Sequence, residues 1–234
     1  MTYFFFAVFG MTRMESMNSD TKEQGSVFDG PISGKVYDLF ARLFGFGPTL
    51  YKKAAELMPL EPGQVVLDLG CGTGAFCAAI ADRIGNEGVI HGIDLSKKQL
   101  DAAGEKMQTK SPRFVPHLSS MAELPFENDS FDLVISSLAI HAAAPPDRRA
   151  AIRETARVLK GGARFILVDW TRPRTALSRL LYLPFSPTIK GEKDRDNWDN
   201  VYPTLCEKEN LALETDIFLN SSVLFQSFVK TAAD

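Results

Sequence analysis

The stretch Val65-Val66-Leu67-Asp68-Leu69-Gly70-Cys71-Gly72-Thr73-Gly74 restricts this chain more than any other. An apolar run ends on three alternating glycines, and a helical pattern follows at once from Gly74 to Ile84, closed by Gly85. Glycines at such a junction let the backbone turn tightly and let its N–H groups approach a ligand with no Cβ in the way. A strand that turns directly into a helix opens a βαβ unit, in which the helix carries the chain back for a second, parallel strand.

The same alternation continues. Val89 to Ile93 predicts the second strand, and the helix after it opens on Ser96 with Gln99 three residues on, the pattern of a capping box. Further strands are predicted over Arg113 to His117, Phe131 to Ser136 and Ala163 to Trp170, the last after a helix that starts near Asp147 and stops at Gly161-Gly162. A helix around Asn197 to Glu207 comes next. Leu211 to Leu219 and Val223 to Lys230 are then joined by only Asn220-Ser221-Ser222, too short for a parallel crossover, so they predict an antiparallel hairpin at one sheet edge. Upstream, Val36, Leu39, Phe40 and Leu43 recur at helical spacing within Ile32 to Phe46, and Pro48 introduces a second short helix over Thr49 to Met58. The expected organisation is a flexible segment over 1–25, a helical cover over 26–60 and a main α/β domain over 61–234, within which 171–196 is a lid or substrate-side insertion. The sheet should have seven strands, five of them parallel, with helices on both faces.

With 234 residues, 45% of them hydrophobic and 24% charged, the composition is that of one soluble globular unit with additions. A net charge of −3 provides no overall basic field, so nucleic acid is not an expected partner. Cys71, Cys77 and Cys206 lack C-x-x-C spacing and predict neither a disulfide framework nor a structural zinc site, which fits a reducing, cytoplasmic setting. The apolar start Tyr3 to Phe9 falls short of the ~20 residues of a membrane span and lacks the basic and cleavage regions of an export signal. A short interfacial anchor is the alternative for it, and Met11, Met14 and Met17 offer later starts.

The glycine spacing does not by itself choose a ligand. Gly70, Gly72 and Ala75 satisfy a relaxed dinucleotide fingerprint, and Asp94 lies at a suitable distance for ribose hydroxyls, so a nicotinamide-dependent oxidoreductase is one reading. Asp68 points elsewhere. A carboxylate two residues before the first glycine would repel a pyrophosphate and favour a cation, and S-adenosylmethionine, with a sulfonium, an ammonium and no phosphate, has that character.

VVLDLGCGTGAFCAAIA resembles motif I of the class I S-adenosylmethionine-dependent methyltransferases, a resemblance that GVIHGIDLSKKQLDAA, LPFENDSFDLVISSLAIH and RETARVLKGGARFILVD extend over about Val65 to Asp169. VYDLFARLFGFG is further similar to the entry segment of quinone-biosynthesis C-methyltransferases and phospholipid N-methyltransferases. The resemblance implies a Rossmann-like methyltransferase fold with S-adenosylmethionine as cofactor. It places Gly70, Gly72 and Gly74 against the methionine part, Asp68 near its amino group, Asp94 on both ribose hydroxyls, Leu95 on the adenine and Tyr37 over the cofactor. Relatives carry Gly-Asp-Ala before the LPF segment, and this chain has Ser119-Ser120-Met121; Ser120 and the Met121 backbone are the substitutes for the adenine contacts, and a water-facing loop serine is the competing reading of Ser120.

Methyl transfer is an in-line displacement that needs orientation, plus a base where the nucleophile carries a proton. Ligands of doubly wound sheets lie beyond the carboxyl ends of the strands, which selects Ser137, Leu138 and His141 after the fourth strand, Asp169 and Trp170 at the end of the fifth, and Tyr37 in the cover. His141 is the preferred proton acceptor or substrate-orienting group, against a packing or capping histidine. Tyr37 is alternatively a core aromatic, and Asp169 either holds a substrate amine or terminates its strand. His91 and His117 are expected in the core or at its rim, and Cys71 in packing. Leu180 to Leu183 and Phe185, set among Arg172, Arg174, Arg179, Lys190, Lys193 and Arg195, describe either a lid touching a lipid or quinone at a membrane surface or an insertion burying its apolar face over the sheet. The acceptor is thus expected to be small or lipid-like, a quinone-precursor carbon or a phospholipid amine, with peripheral membrane contact; a catalytically idle cofactor binder is the third class. Nothing in the sequence fixes the oligomeric state.

Overall fold

The computed structural model describes residues 47–176 and 192–232. The segment expected to be flexible over 1–25, the predicted helix over Ile32 to Phe46 with Tyr37, and 177–191 of the expected lid lie outside the described residues. Elements are numbered among those described. Helix α1 (Pro48–Leu57) starts with proline in its first turn, where a missing N–H costs nothing. It is followed by β1 (Val65–Leu69), α2 (Ala75–Ile84), β2 (Val89–Asp94), α3 (Lys97–Met107), β3 (Arg113–Leu118) and β4 (Phe131–Ser137). A 3-10 turn (Ile140–Ala142) leads to α4 (Pro145–Val158), β5 (Leu159–Trp170), α5 (Glu192–Trp198), α6 (Tyr202–Glu207), β6 (Leu211–Phe218) and β7 (Val223–Lys230).

The seven strands form one sheet in the order β3-β2-β1-β4-β5-β7-β6. The first five pair in parallel, and β7 pairs antiparallel with both β5 and β6, so the terminal hairpin closes one edge as expected. Residues alternate between two cores. Val66, Ile90, Ile135 and Ile166 pack with α1, α2 and α3 on one face, while Leu67, Leu69, Val134 and Phe165 pack with α4 and α6 on the other. Strand order reverses between β1 and β4, and the ends of the five parallel strands at that crevice hold the candidate site.

Three local expectations need correction. Gly161-Gly162 does not end α4; that helix stops at Val158, and the glycines sit inside β5, where the register against β4 shifts between Phe131 and Leu133 and Gly162 takes φ 76°. The helix expected around 197–207 is two helices, parted where Asn200 adopts φ 48° and where Pro203 suits the first turn of a new helix. The capping box at Ser96 is half made: Ser96 Oγ accepts from the Gln99 N–H, but Gln99 Oε1 is buried with no partner.

Candidate functional site

The turn after β1 is fixed by bonds of its own backbone. Cys71 N–H donates to Ile93 O at the end of β2, and Gly74 N–H closes back on Cys71 O, both at 2.9 Å. Gly70, Gly72 and Gly74 all have φ between 52° and 70°, the left-handed region that side chains avoid. The need is sharpest at Gly70, where a Cβ would lie 2.5 Å from Ala139 Cβ. That approach arises because β4 is the neighbour of β1 and the chain leaving β4 turns sharply at Leu138, itself at φ 51°. Gly72 faces open space, with nothing within 4 Å of a Cβ. The loop is therefore packed from behind and open in front.

Two carboxylates flank it. Asp94, the last residue of β2, accepts from Gly72 N–H at 3.0 Å through Oδ2 and from Ser96 N–H at 2.9 Å through Oδ1. Each carboxylate oxygen has a second lone pair, so the group can take ribose hydroxyls while it holds the loop. Asp68 is 1% exposed; its Oδ2 accepts from the Cys77 thiol at 3.0 Å and its Oδ1 is buried with no partner. Burial raises its pKa from 3.8 to about 7, opposed by the Cys77 hydrogen bond and helped by the charge on Asp94. The same burial, next to Asp68, pushes the Cys71 and Cys77 thiols well up, which suits packing rather than thiolate chemistry. A phosphate would meet two carboxylates here, whereas an ammonium would satisfy the orphaned oxygen, so the residues fit S-adenosylmethionine.

That electrostatics has a sign that can be measured. Between pH 3.8 and 7 the folded chain holds a proton on Asp68 that the unfolded chain releases, so the ligand-free protein loses stability as pH rises through that window and is flat above it. A cation binds the ionised carboxylate. Affinity for S-adenosylmethionine should therefore rise about fivefold from pH 6.0 to 7.4, the gain from Asp68 ionisation being trimmed by the first loss of the cofactor's α-amino proton, and Asp68→Asn should remove the rise. Calorimetry across pH reads both.

The remaining cofactor candidates share this edge of the sheet. Leu95 is half-buried after β2, and Ser119 N–H donates to Asp94 O. Ser120 Oγ accepts from Ala122 N–H at 3.1 Å, so the hydroxyl shapes its own loop and keeps one lone pair and its proton for other bonds. Met121 reaches the glycine turn, its Cε 3.4 Å from the Cβ position of Gly70. Ser137 Oγ, at the end of β4, is buried with no partner.

Across the switch point, His141 stands in the 3-10 turn after β4 and Asp169 is the penultimate residue of β5. His141 Nδ1 and Asp169 Oδ1 are 2.9 Å apart, with the aspartate side chain 4% exposed and the histidine 19%. Asp169 Oδ1 also accepts from Trp170 N–H, and Oδ2 is buried without a partner. The Trp170 ring meets the imidazole edge-on at 5.9 Å. Sequence reading missed this partnership because the two residues lie 28 positions apart with a helix between them. Gly92 was missed as well: a Cβ there would press on Cys71 Sγ at 2.8 Å and on the Phe114 ring, so its lack of a side chain seats the glycine turn. His91 and His117 do lie at the core rim, Nδ1 to Nε2 at 2.9 Å against Phe126 and Phe131, and burial lowers both pKa values, His91 to about 4. Tyr37 lies outside the described residues.

A doubly wound sheet with an antiparallel terminal hairpin and a glycine turn flanked by two aspartates defines the class I methyltransferase arrangement. The methyltransferase domain family matches residues 66–162. A demethylmenaquinone methyltransferase of Bacillus licheniformis is 34% identical over 130 residues, 56% of this chain and 55% of that protein, so the chain spans little more than half of that relative. Another, of Staphylococcus aureus, is 31% identical over 70% of this chain and 68% of its own length. A solved S-adenosylmethionine-dependent methyltransferase of Aquifex aeolicus has the same fold, with a TM-score of 0.64, 18% identity and coverage of 82% of this chain and 93% of its own. The chain belongs to the S-adenosylmethionine-dependent methyltransferases, with relatives among the quinone-modifying members.

Proposed function

We propose that this chain transfers a methyl group to a ring carbon of a hydroxylated, lipophilic quinone-type acceptor, with His141 as the proton acceptor. The observation that carries the reading is the pairing of His141 with Asp169 on the sheet edge that holds the glycine turn. When bound, S-adenosylmethionine supplies an electrophilic methyl on a sulfonium. An ionised carboxylate only accepts, so the imidazole proton sits on Nδ1 toward Asp169 and Nε2 is left to take a proton. A ring carbon is a weak nucleophile until its hydroxyl proton departs, and Nε2 takes that proton; the pair released into the ring forms the new C–C bond as the methyl–sulfur bond breaks and leaves its electrons on sulfur, and the ring proton then passes to water while Nε2 returns its proton to the ring oxygen, which restores aromaticity.

The surroundings suit such an acceptor. Trp170 walls the histidine, and the exposed Arg172 and Arg174 follow it at the end of β5, so an apolar ring stands beside the candidate base with cations next in the chain. A lipophilic acceptor implies contact with a membrane surface; among the described residues no helix is long and apolar enough to cross one. The test is transfer of radiolabelled methyl from S-adenosylmethionine into a cell extract fractionated into lipid, water-soluble and protein pools. Label in a quinone-containing lipid fraction is the expected result. Label confined to water-soluble compounds, to protein or to phospholipid amines would overturn it.

A further inference from the structure

Arg148 of α4 is fully buried behind the turn that bears His141. Its Nη2 donates to the His141 carbonyl at 2.7 Å and its Nε to the Ala143 carbonyl at 3.0 Å, so the guanidinium grips the middle of that turn and the residue that caps it. Its Nη1 donates to Asp196 Oδ2 at 2.9 Å, and Asp196 belongs to α5, far along the chain. A guanidinium with no exposed surface needs a counter-charge, because a buried ion without one is costly. The next residue reaches the other half of the pair: Asn197 Nδ2 donates to the Trp170 carbonyl, adjoining Asp169, and Asn197 Oδ1 accepts from the Tyr202 hydroxyl. Thr171 Oγ1 donates to the Asn197 carbonyl at 3.0 Å.

Two consecutive residues of α5 thus touch the two supports of the candidate base, the His141 turn through Arg148 and the end of β5 through Trp170. We infer that Asp196 is a positioning residue, which holds Arg148 against the His141 turn and so fixes the distance between His141 and Asp169. The inference rests on the reading of His141 as proton acceptor. In this arrangement α5 is a brace for the reaction geometry. Misplacing a base by an ångström is enough to slow a reaction strongly, although binding elsewhere in the site is intact.

Three variants of the full chain test it: Asp196→Ala, which removes the anchor; Asp196→Asn, which keeps an oxygen for Arg148 Nη1 and guards against simple failure to fold; and Asp196→Glu, the conservative rescue. In Asp196→Ala the kcat of methyl transfer should fall about tenfold or more, with the acceptor KM and the S-adenosylmethionine dissociation constant within twofold of the parent. Asp196→Glu should recover most of the loss and Asp196→Asn an intermediate part. A second readout does not depend on turnover. In protein labelled with nitrogen-15 at histidine, the Nδ1–H resonance of His141, assigned by its absence in His141→Gln, should be protected from exchange in the parent and Asp196→Glu and exchange rapidly in Asp196→Ala. Unchanged kcat and protection in Asp196→Ala, or equal loss in Asp196→Glu, would overturn the positioning role. Absence of methyl transfer by the parent chain would instead sink the proposed function, with the resonance still deciding whether Asp196 holds the histidine.

Discussion

His141→Gln is expected to lower kcat for methyl transfer by about 10²- to 10⁴-fold, the range a positioned general base contributes. Cofactor affinity should hardly change, since the imidazole lies across the switch point from the glycine turn and its ring contacts are Asp169 and Trp170. Glutamine fills similar space and can hydrogen-bond Asp169, so lost proton transfer is separated from collapse of the turn. Asp169→Asn should act in the same direction for another reason. An amide can present its N–H to Nδ1, which moves the imidazole proton to Nε2 and turns the would-be acceptor into a donor. Steady-state kinetics with the quinone-type acceptor, beside calorimetry with S-adenosylmethionine, checks both. Activity within threefold of the parent in His141→Gln would remove the histidine from the chemistry.

Gly70→Ala should be as damaging to the fold. An alanine held at φ 70° costs about 1–2 kcal/mol, and its Cβ, 2.5 Å from Ala139 Cβ, forces β4 away from β1 at a further cost of about 1–3 kcal/mol. A loss of roughly 2–5 kcal/mol is a large share of the usual 5–15 kcal/mol of a folded domain and corresponds to a fall in Tm of roughly 4–20 °C. Cofactor affinity should drop with it, because the displaced residues form the floor of the turn. Gly104→Ala is the control: it lies in α3 with nothing within 4 Å of a new Cβ, so stability should hold or rise. Equal melting temperatures for the Gly70 and Gly104 variants would contradict the tight approach of the turn to Ala139.

Much of this architecture was legible in the chain because parallel strands in the middle of a sheet are short apolar runs, and β1, β2 and β4 each begin where such a run begins. What misled was punctuation. Glycine ends helices and also lets a strand slip register, and Gly161-Gly162 does the second. A hydrophobic pattern spanning 197–207 does not reveal that Asn200 takes a left-handed turn within it. Asp68, Gly70, Gly72 and Asp94 lie within one βαβ unit, so their proximity is close to a property of the sequence. His141 was singled out by its place after β4, but its bond to Asp169 depends on β5 lying beside β4, and the Arg148 to Asp196 bridge on α5 packing behind the turn. No spacing encodes such contacts. Ser120 turned out to accept from Ala122 N–H, a local bond its side chain is short enough to make.

The central claim is that an adenosine-bearing cation lies along the turn after β1, gripped by Asp94. Titration calorimetry of the parent chain and Asp94→Ala with S-adenosylmethionine and with NAD tests it most directly. The account predicts one S-adenosylmethionine site in the parent, weakening by about 1.5–3 kcal/mol, or roughly 10- to 150-fold, in Asp94→Ala, and no heat from NAD. NAD binding in place of S-adenosylmethionine, or an unchanged dissociation constant in Asp94→Ala, would contradict it.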